Sequence, residues 1–83
     1  MAMPVPNVKM RPVDAQLIES VGYVEASRKL VVKFYHAPTL CFDKVPHFRF
    51  QGLLNAPRKD AYYKTFIKDQ FLAKEITLPL SVF

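Results

Sequence analysis

The sequence is poor in the residues that most often carry small-domain chemistry. It has one cysteine, two glycines and no tryptophan among its 83 residues. A single cysteine, Cys41, excludes an internal disulfide. With only Gly22 and Gly52 there is no glycine-rich loop to cradle a phosphate. No stretch approaches the roughly 18 apolar residues of a membrane span. The first residues carry Pro4 and Pro6 where a signal peptide would have an uninterrupted apolar run. The expectation is a cytoplasmic protein with no membrane partner.

Catalytic constellations are equally scarce. Cys41 with His36 or His47 is the one nucleophile-and-base set available. Cys41 lies between Leu40 and Phe42, and a buried cysteine behaves as a small inert hydrophobe. A zinc site from His36, Cys41 and His47 lacks a fourth ligand and the paired spacing of structural zinc sites. The seven carboxylates are scattered, with no pair placed for acid–base work. The expectation is a non-enzymatic protein with no cofactor and no metal.

Hydrophobic residues, in contrast, make up 51% of the chain and aromatics 13%, enough for one packed domain. The net charge is +5, and it is uneven. Residues 1–43 carry five basic and four acidic side chains, whereas residues 44–83 carry seven basic and three acidic. A basic half attracts nucleic acid or acidic protein surfaces, although +5 is also an ordinary solubilising charge.

Along the chain, residues 1–12 read as an extended leader, because Pro4, Pro6 and Pro12 remove backbone donors. A domain over residues 13–75 follows. Leu17 to Val24 is β-prone, but Ile18 and Val21 are reconciled only by a bulge or a late strand start, and Gly22 is a natural place for a bulge. Leu30 to Tyr35 alternates cleanly, with Leu30, Val32 and Phe34 on the core face. After a turn at His36 to Thr39, the run Leu40-Cys41-Phe42 is a third strand. Pro46 starts a helix to about Ala56, with Phe50, Leu53 and Leu54 as its apolar stripe. Pro57 stops it. A second helix is expected from Lys59 or Asp60 to about Leu72, with Asp60 as its N-cap and Tyr63, Phe66, Ile67 and Phe71 buried. Residues 76–83 form an apolar segment, either an edge strand or a docked tail, through which a homodimer could also assemble. The fold class is therefore α+β: a three-stranded antiparallel meander followed by two helices on one face, with a C-terminal edge strand as an option. The expected core comprises Ile18, Tyr23, Leu30, Val32, Phe34, Phe42, Phe50, Leu53, Leu54, Tyr63, Ile67 and Phe71.

The series Ser20-Val21-Gly22-Tyr23, Leu30-x-Val32-x-Phe34, Leu40-Cys41-Phe42, Val45-Pro46, Leu53-Leu54-Asn55-Ala56 and Tyr62-Tyr63 resembles the KTSC domain over roughly residues 13–72. This small bacterial and phage module is named for its place at the C-terminus of some lysyl-tRNA synthetases. The chain departs from the family pattern at its central Tyr-x-Tyr, where Leu40 and Phe42 stand. It also has His36-Ala37 where an Asn-Gly hairpin is usual, so a longer turn is expected there. The resemblance implies RNA binding as a proposal.

The residues offer a place for it. Arg58, Lys59, Lys64 and Lys68 flank the second helix, and Lys44 and Arg49 flank the first; together they would meet phosphates. Phe48, Tyr62 and Tyr35 are aromatics that periodicity leaves off the core, available to stack on unpaired bases. The expected partner is nucleic acid, RNA ahead of DNA. The alternative is an acidic protein surface, with the chain as an adaptor or regulator of the transcription or translation apparatus.

Overall fold

The computed structural model describes residues 8–76. Five strands form one antiparallel sheet in sequential order: β1 (Arg11–Pro12), β2 (Ile18–Val24), β3 (Lys29–Phe34), β4 (Thr39–Phe42) and β5 (Ala73–Ile76). Between β4 and β5 the chain crosses one face of the sheet as α1 (His47–Asn55), α2 (Lys59–Tyr62) and a π-helical turn, Tyr63–Ile67. The α+β meander with its helices on one face is as expected; the described residues hold five strands, where three and an optional C-terminal edge strand are expected.

Both added strands come from stretches read otherwise. The end of the expected leader pairs with β2, Arg11 opposite Val21 and Pro12 opposite Ser20. Val8 is buried there as well. Proline suits this outer strand because an edge tolerates a missing donor. At the other end β5 begins at Ala73, within the expected domain rather than after it, and pairs with β4 from Phe42–Ala73 to Thr39–Ile76. Ile76 closes β5; the rest of the apolar segment expected over 76–83 lies outside the described residues.

The bulge needed to place Ile18 and Val21 on one face exists, but between Ile18 and Ser20 rather than at Gly22. Both side chains are fully buried in the core. Gly22 serves a different purpose. A Cβ there would lie 2.3 Å from Val8 Cγ1 and 2.8 Å from Met10 Sδ, so glycine lets the β1 segment cross the back of the sheet. Val31, opposite Gly22, is accordingly buried on the face away from the helices.

The core lies between the sheet and the helices. Ile18, Val21, Leu30, Val32 and Phe42 from the strands meet Phe50, Leu53, Tyr63 and Ile67 from the helices, with Val45 beside them. Every residue of the expected core is in this cluster or packed against it; Val21 and Val45 are additions. Tyr63 meets Phe34 and Phe42 edge-on, with centroids 5.2 and 5.9 Å away, a favourable arrangement of aromatic quadrupoles. Tyr23 stacks on Phe50 at 5.0 Å and donates its hydroxyl to the Val45 carbonyl at 2.6 Å, fastening β2 to the entry of α1.

The connections follow local chemistry. Tyr35 to Pro38 form a four-residue link between β3 and β4 with no residue in the left-handed region, consistent with His36-Ala37 resisting a tight two-residue turn. Left-handed backbone occurs instead at Arg28, Lys44 and Asp69, each within a turn or bend. The second helix is shorter than expected. The Lys68 amide donates to the Tyr63 carbonyl five residues back at 2.8 Å, and the helix ends at Ile67 instead of near Leu72.

Candidate nucleic-acid interface

The outward side of the helical layer carries the candidate site, and it has two parts. The first is an aromatic seam between α1 and the π-helical turn. Gly52 begins it: a Cβ at that position would stand 2.2 Å from the Tyr62 hydroxyl, so the Tyr62 ring lies directly on α1 because the glycine has no side chain. Tyr62 packs on Phe66, centroids 4.8 Å apart. The Arg49 guanidinium lies over the Phe66 ring at 4.7 Å and over the Phe48 ring at 5.1 Å. The result is a row of Tyr62, Phe66, Arg49 and Phe48, ending at an open ring: Phe48 is 63% exposed. A cation over a π-face within about 6 Å is attracted by the ring quadrupole, so Arg49 holds the row together across two helices.

Phe66 is a correction. Helical spacing put it in the buried stripe, but it is 38% exposed. In an α-helix that buries Tyr63 and Ile67, position 66 follows them inward. The wider π-helical turn spreads the residues between them, so Tyr63 and Ile67 remain buried while Phe66 rotates out to Arg49. No periodicity rule signals such a turn in advance.

The second part is a cleft of about 680 Å³ between the β1–β2 connection and the start of α2. Asp14 and Gln16 line one wall; Arg58, Lys59 and Lys64 line the other. Asp60 joins the walls. Its carboxylate accepts the Gln16 amide at 2.9 Å and the Leu17 amide at 3.2 Å. This is not the N-cap role expected of Asp60: Arg58 occupies the cap position, and no side chain caps the helix. The Lys59 ammonium donates to the Ala56 carbonyl at 3.0 Å, closing the end of α1.

The expected site residues therefore divide. Arg49, Phe48 and Tyr62 meet in the seam. Arg58, Lys59 and Lys64 meet at the cleft, with Lys59 engaged by backbone. Arg58, Lys64 and Lys68 make no ion pair among the described residues. Two residues stand apart. Tyr35 lies on the β3–β4 link beside the His36 ring, centroids 6.4 Å apart. Lys44 lies on the turn after β4, its amide bonded to Asp43. Phe66, Asp14, Gln16 and Asp60 join the site without having been singled out; only the fold brings them there.

The other candidate groups are placed elsewhere. His47 packs against Tyr23 and Phe50 on α1, while Cys41 pairs with Val31 inside the sheet. Burial pushes the Cys41 thiol above its ordinary value, which favours the protonated, unreactive form. The Lys29 ammonium at 3.2 Å holds Asp43 below the ordinary carboxylate range. No helix among the described residues is long and apolar enough to cross a membrane.

The family model of the KTSC domain matches residues 15–71, from the β1–β2 connection through the π-helical turn. The chain belongs to the KTSC domain family. Its fold agrees with the crystal structure of a KTSC domain protein from Yersinia pestis: TM-score 0.83 and 28% identity, over 84% of this chain and 99% of that one. None of the curated proteins matches the chain. The matched residues include β2, β3, β4, α1, α2 and the π-helical turn, with β1 before the matched segment and β5 after it.

Proposed function

We propose that this KTSC domain is a non-enzymatic cytoplasmic module that binds single-stranded nucleic acid, RNA ahead of DNA, on the outward side of its helices. The observation that carries the reading is Arg49 lying over Phe66 and Phe48, with the Phe48 ring left open to solvent. An exposed ring backed by a cation offers a stacking platform to an unpaired base, worth about 1–3 kcal/mol per base. Arg58, Lys64 and Lys68, which form no ion pair among the described residues, supply the charge that meets phosphates. Duplexes fit less well, because their bases are already stacked and turned inward.

The test is a titration with single- and double-stranded oligonucleotides at two salt concentrations. Single strands should bind more tightly. With three phosphate contacts, the log–log salt slope should be near −2, from about −0.7 per contact. An absence of binding at low salt overturns the proposal.

A second reading is supported by a different observation. Leu72, just before β5, is 81% exposed, and β5 is the outer strand of the sheet among the described residues. An open strand edge beside an exposed leucine suits a protein partner, as in an adaptor of the transcription or translation apparatus. A pull-down with a Leu72→Asp variant tests it: a partner that survives the substitution does not use this edge.

A further inference from the structure

We propose that the cleft between Asp14 and Arg58 is a base-reading subsite that accepts a guanine nucleotide. This rests on the nucleic-acid reading above and deepens it by naming the base. The cleft is an open groove of about 680 Å³, and the polar side chains it offers, Asp14, Gln16, Arg58 and Lys64, are exposed. Its walls are fastened to each other by Asp60, whose carboxylate is occupied by the Gln16 and Leu17 amides. Lys59 is likewise occupied, by the Ala56 carbonyl. Among the described residues the cleft leaves four side chains without a hydrogen bond or ion pair: the Asp14 carboxylate and the Gln16 side-chain carboxamide, the Arg58 guanidinium and the Lys64 ammonium. No ion pair forms between the two walls, although groups of both signs line them.

Such a cleft suits a ligand with an anion at one end and hydrogen-bond donors at the other. A nucleotide has both. Its phosphate matches Arg58 and Lys64, since guanidinium binds phosphate through paired donors. Its base edge must then satisfy Asp14, which is acceptor-only when ionised. Guanine presents two adjacent donors on its Watson–Crick edge, N1–H and the N2 amine, one for each carboxylate oxygen. Cytosine and adenine place their amine beside an acceptor ring nitrogen. Uracil flanks its single N3–H with two carbonyls. Each of these would turn an acceptor lone pair toward the carboxylate. Single-stranded bases expose this edge, which makes it readable.

The experiment measures binding of the full chain to a guanine-free strand, to the same strand with one guanine, and to free GMP as competitor. The guanine strand should bind about tenfold more tightly, in keeping with one bidentate base contact. Asp14→Asn should remove that advantage without weakening the guanine-free strand; Arg58→Ala should weaken both strands alike. Neither side chain forms a hydrogen bond or ion pair among the described residues, so both variants should melt like the parent. Equal affinity for the two strands, or a preference that survives Asp14→Asn, overturns the guanine subsite and leaves strand binding standing. If neither strand binds, the strand reading fails. GMP binding abolished by Asp14→Asn would then still support the subsite, as a site for the free nucleotide, and absence of GMP binding would overturn it too.

Discussion

The sheet side and the outward side of the helical layer use the same residue types to opposite ends. Inward, Tyr63, Phe50 and Ile67 are sealed against Phe42, Leu30 and Val32. Outward, Phe48 and Phe66 remain open, and a guanidinium rather than an aliphatic side chain fills the space between them. The inner contacts gain from removing apolar area from water, at about 25 cal/mol per Å². The outer contacts forgo much of that gain. That open apolar surface beside Arg49 is what the proposed strand binding would use.

If the two sides differ in this way, substitutions should separate stability from binding. The largest effect is expected at Phe42, which is 2% exposed at the centre of the core. Phe42→Ala should cost about 3–5 kcal/mol in denaturant unfolding. A variant that unfolds like the parent would place the core elsewhere. Phe48→Ala should do the reverse. Its unfolding should stay within about 0.5 kcal/mol of the parent. Its affinity for a single strand should fall by about 1–3 kcal/mol. Equal losses in both measurements would merge the two sides.

Gly52→Ala sharpens the comparison further. The new methyl would collide with the Tyr62 hydroxyl at 2.2 Å, and the ring must swing away. Alanine recovers about 1 kcal/mol of helix propensity, which offsets part of the clash. Stability should therefore change little while strand affinity drops, because the row behind Phe66 is displaced. Unchanged affinity would show that Tyr62 does not support the seam.

The smallest effect belongs to pH. Burial raises the Tyr63 phenol above its ordinary 10.0. The unfolded chain ionises first, so this contribution is intact below pH 10.0 and is lost as pH rises through the folded value. Melting temperatures measured across that range should fall, and Tyr63→Phe should flatten the fall. An unchanged slope in Tyr63→Phe would assign the effect to other tyrosines.

Much of the fold was legible because its strands and first helix obey simple periods. Leu30, Val32 and Phe34 alternate, and Phe50, Leu53 and Leu54 lie on one helical stripe. Even the bulge in β2 was implied by Ile18 and Val21, although its position was not: Gly22 suggested itself by conformational freedom, whereas the fold uses it for the close approach of Val8. The terminal strands were hidden for another reason. Arg11–Pro12 and Ala73–Ile76 have little alternation of their own and become strands because β2 and β4 present unpaired edges to them.

The candidate site divides along the same line. Its cations and the exposed Phe48 could be named from composition and spacing, whereas Tyr62, which the spacing also leaves off the apolar stripe, is half-buried and packs against the core. Sequence alone determined the α+β class, the core faces of the central strands and the basic character of the helical half, because each depends on neighbours a few residues apart. Tertiary structure decided that Arg49 joins Phe48 to Phe66 and that Asp14 and Arg58 line one cleft. The Asp60 bonds to Gln16 and Leu17 span more than 40 residues of chain, and the π-helical turn frees Phe66 while Tyr63 and Ile67 stay buried. Neither has a local signature, because both are set by what the sheet leaves room for.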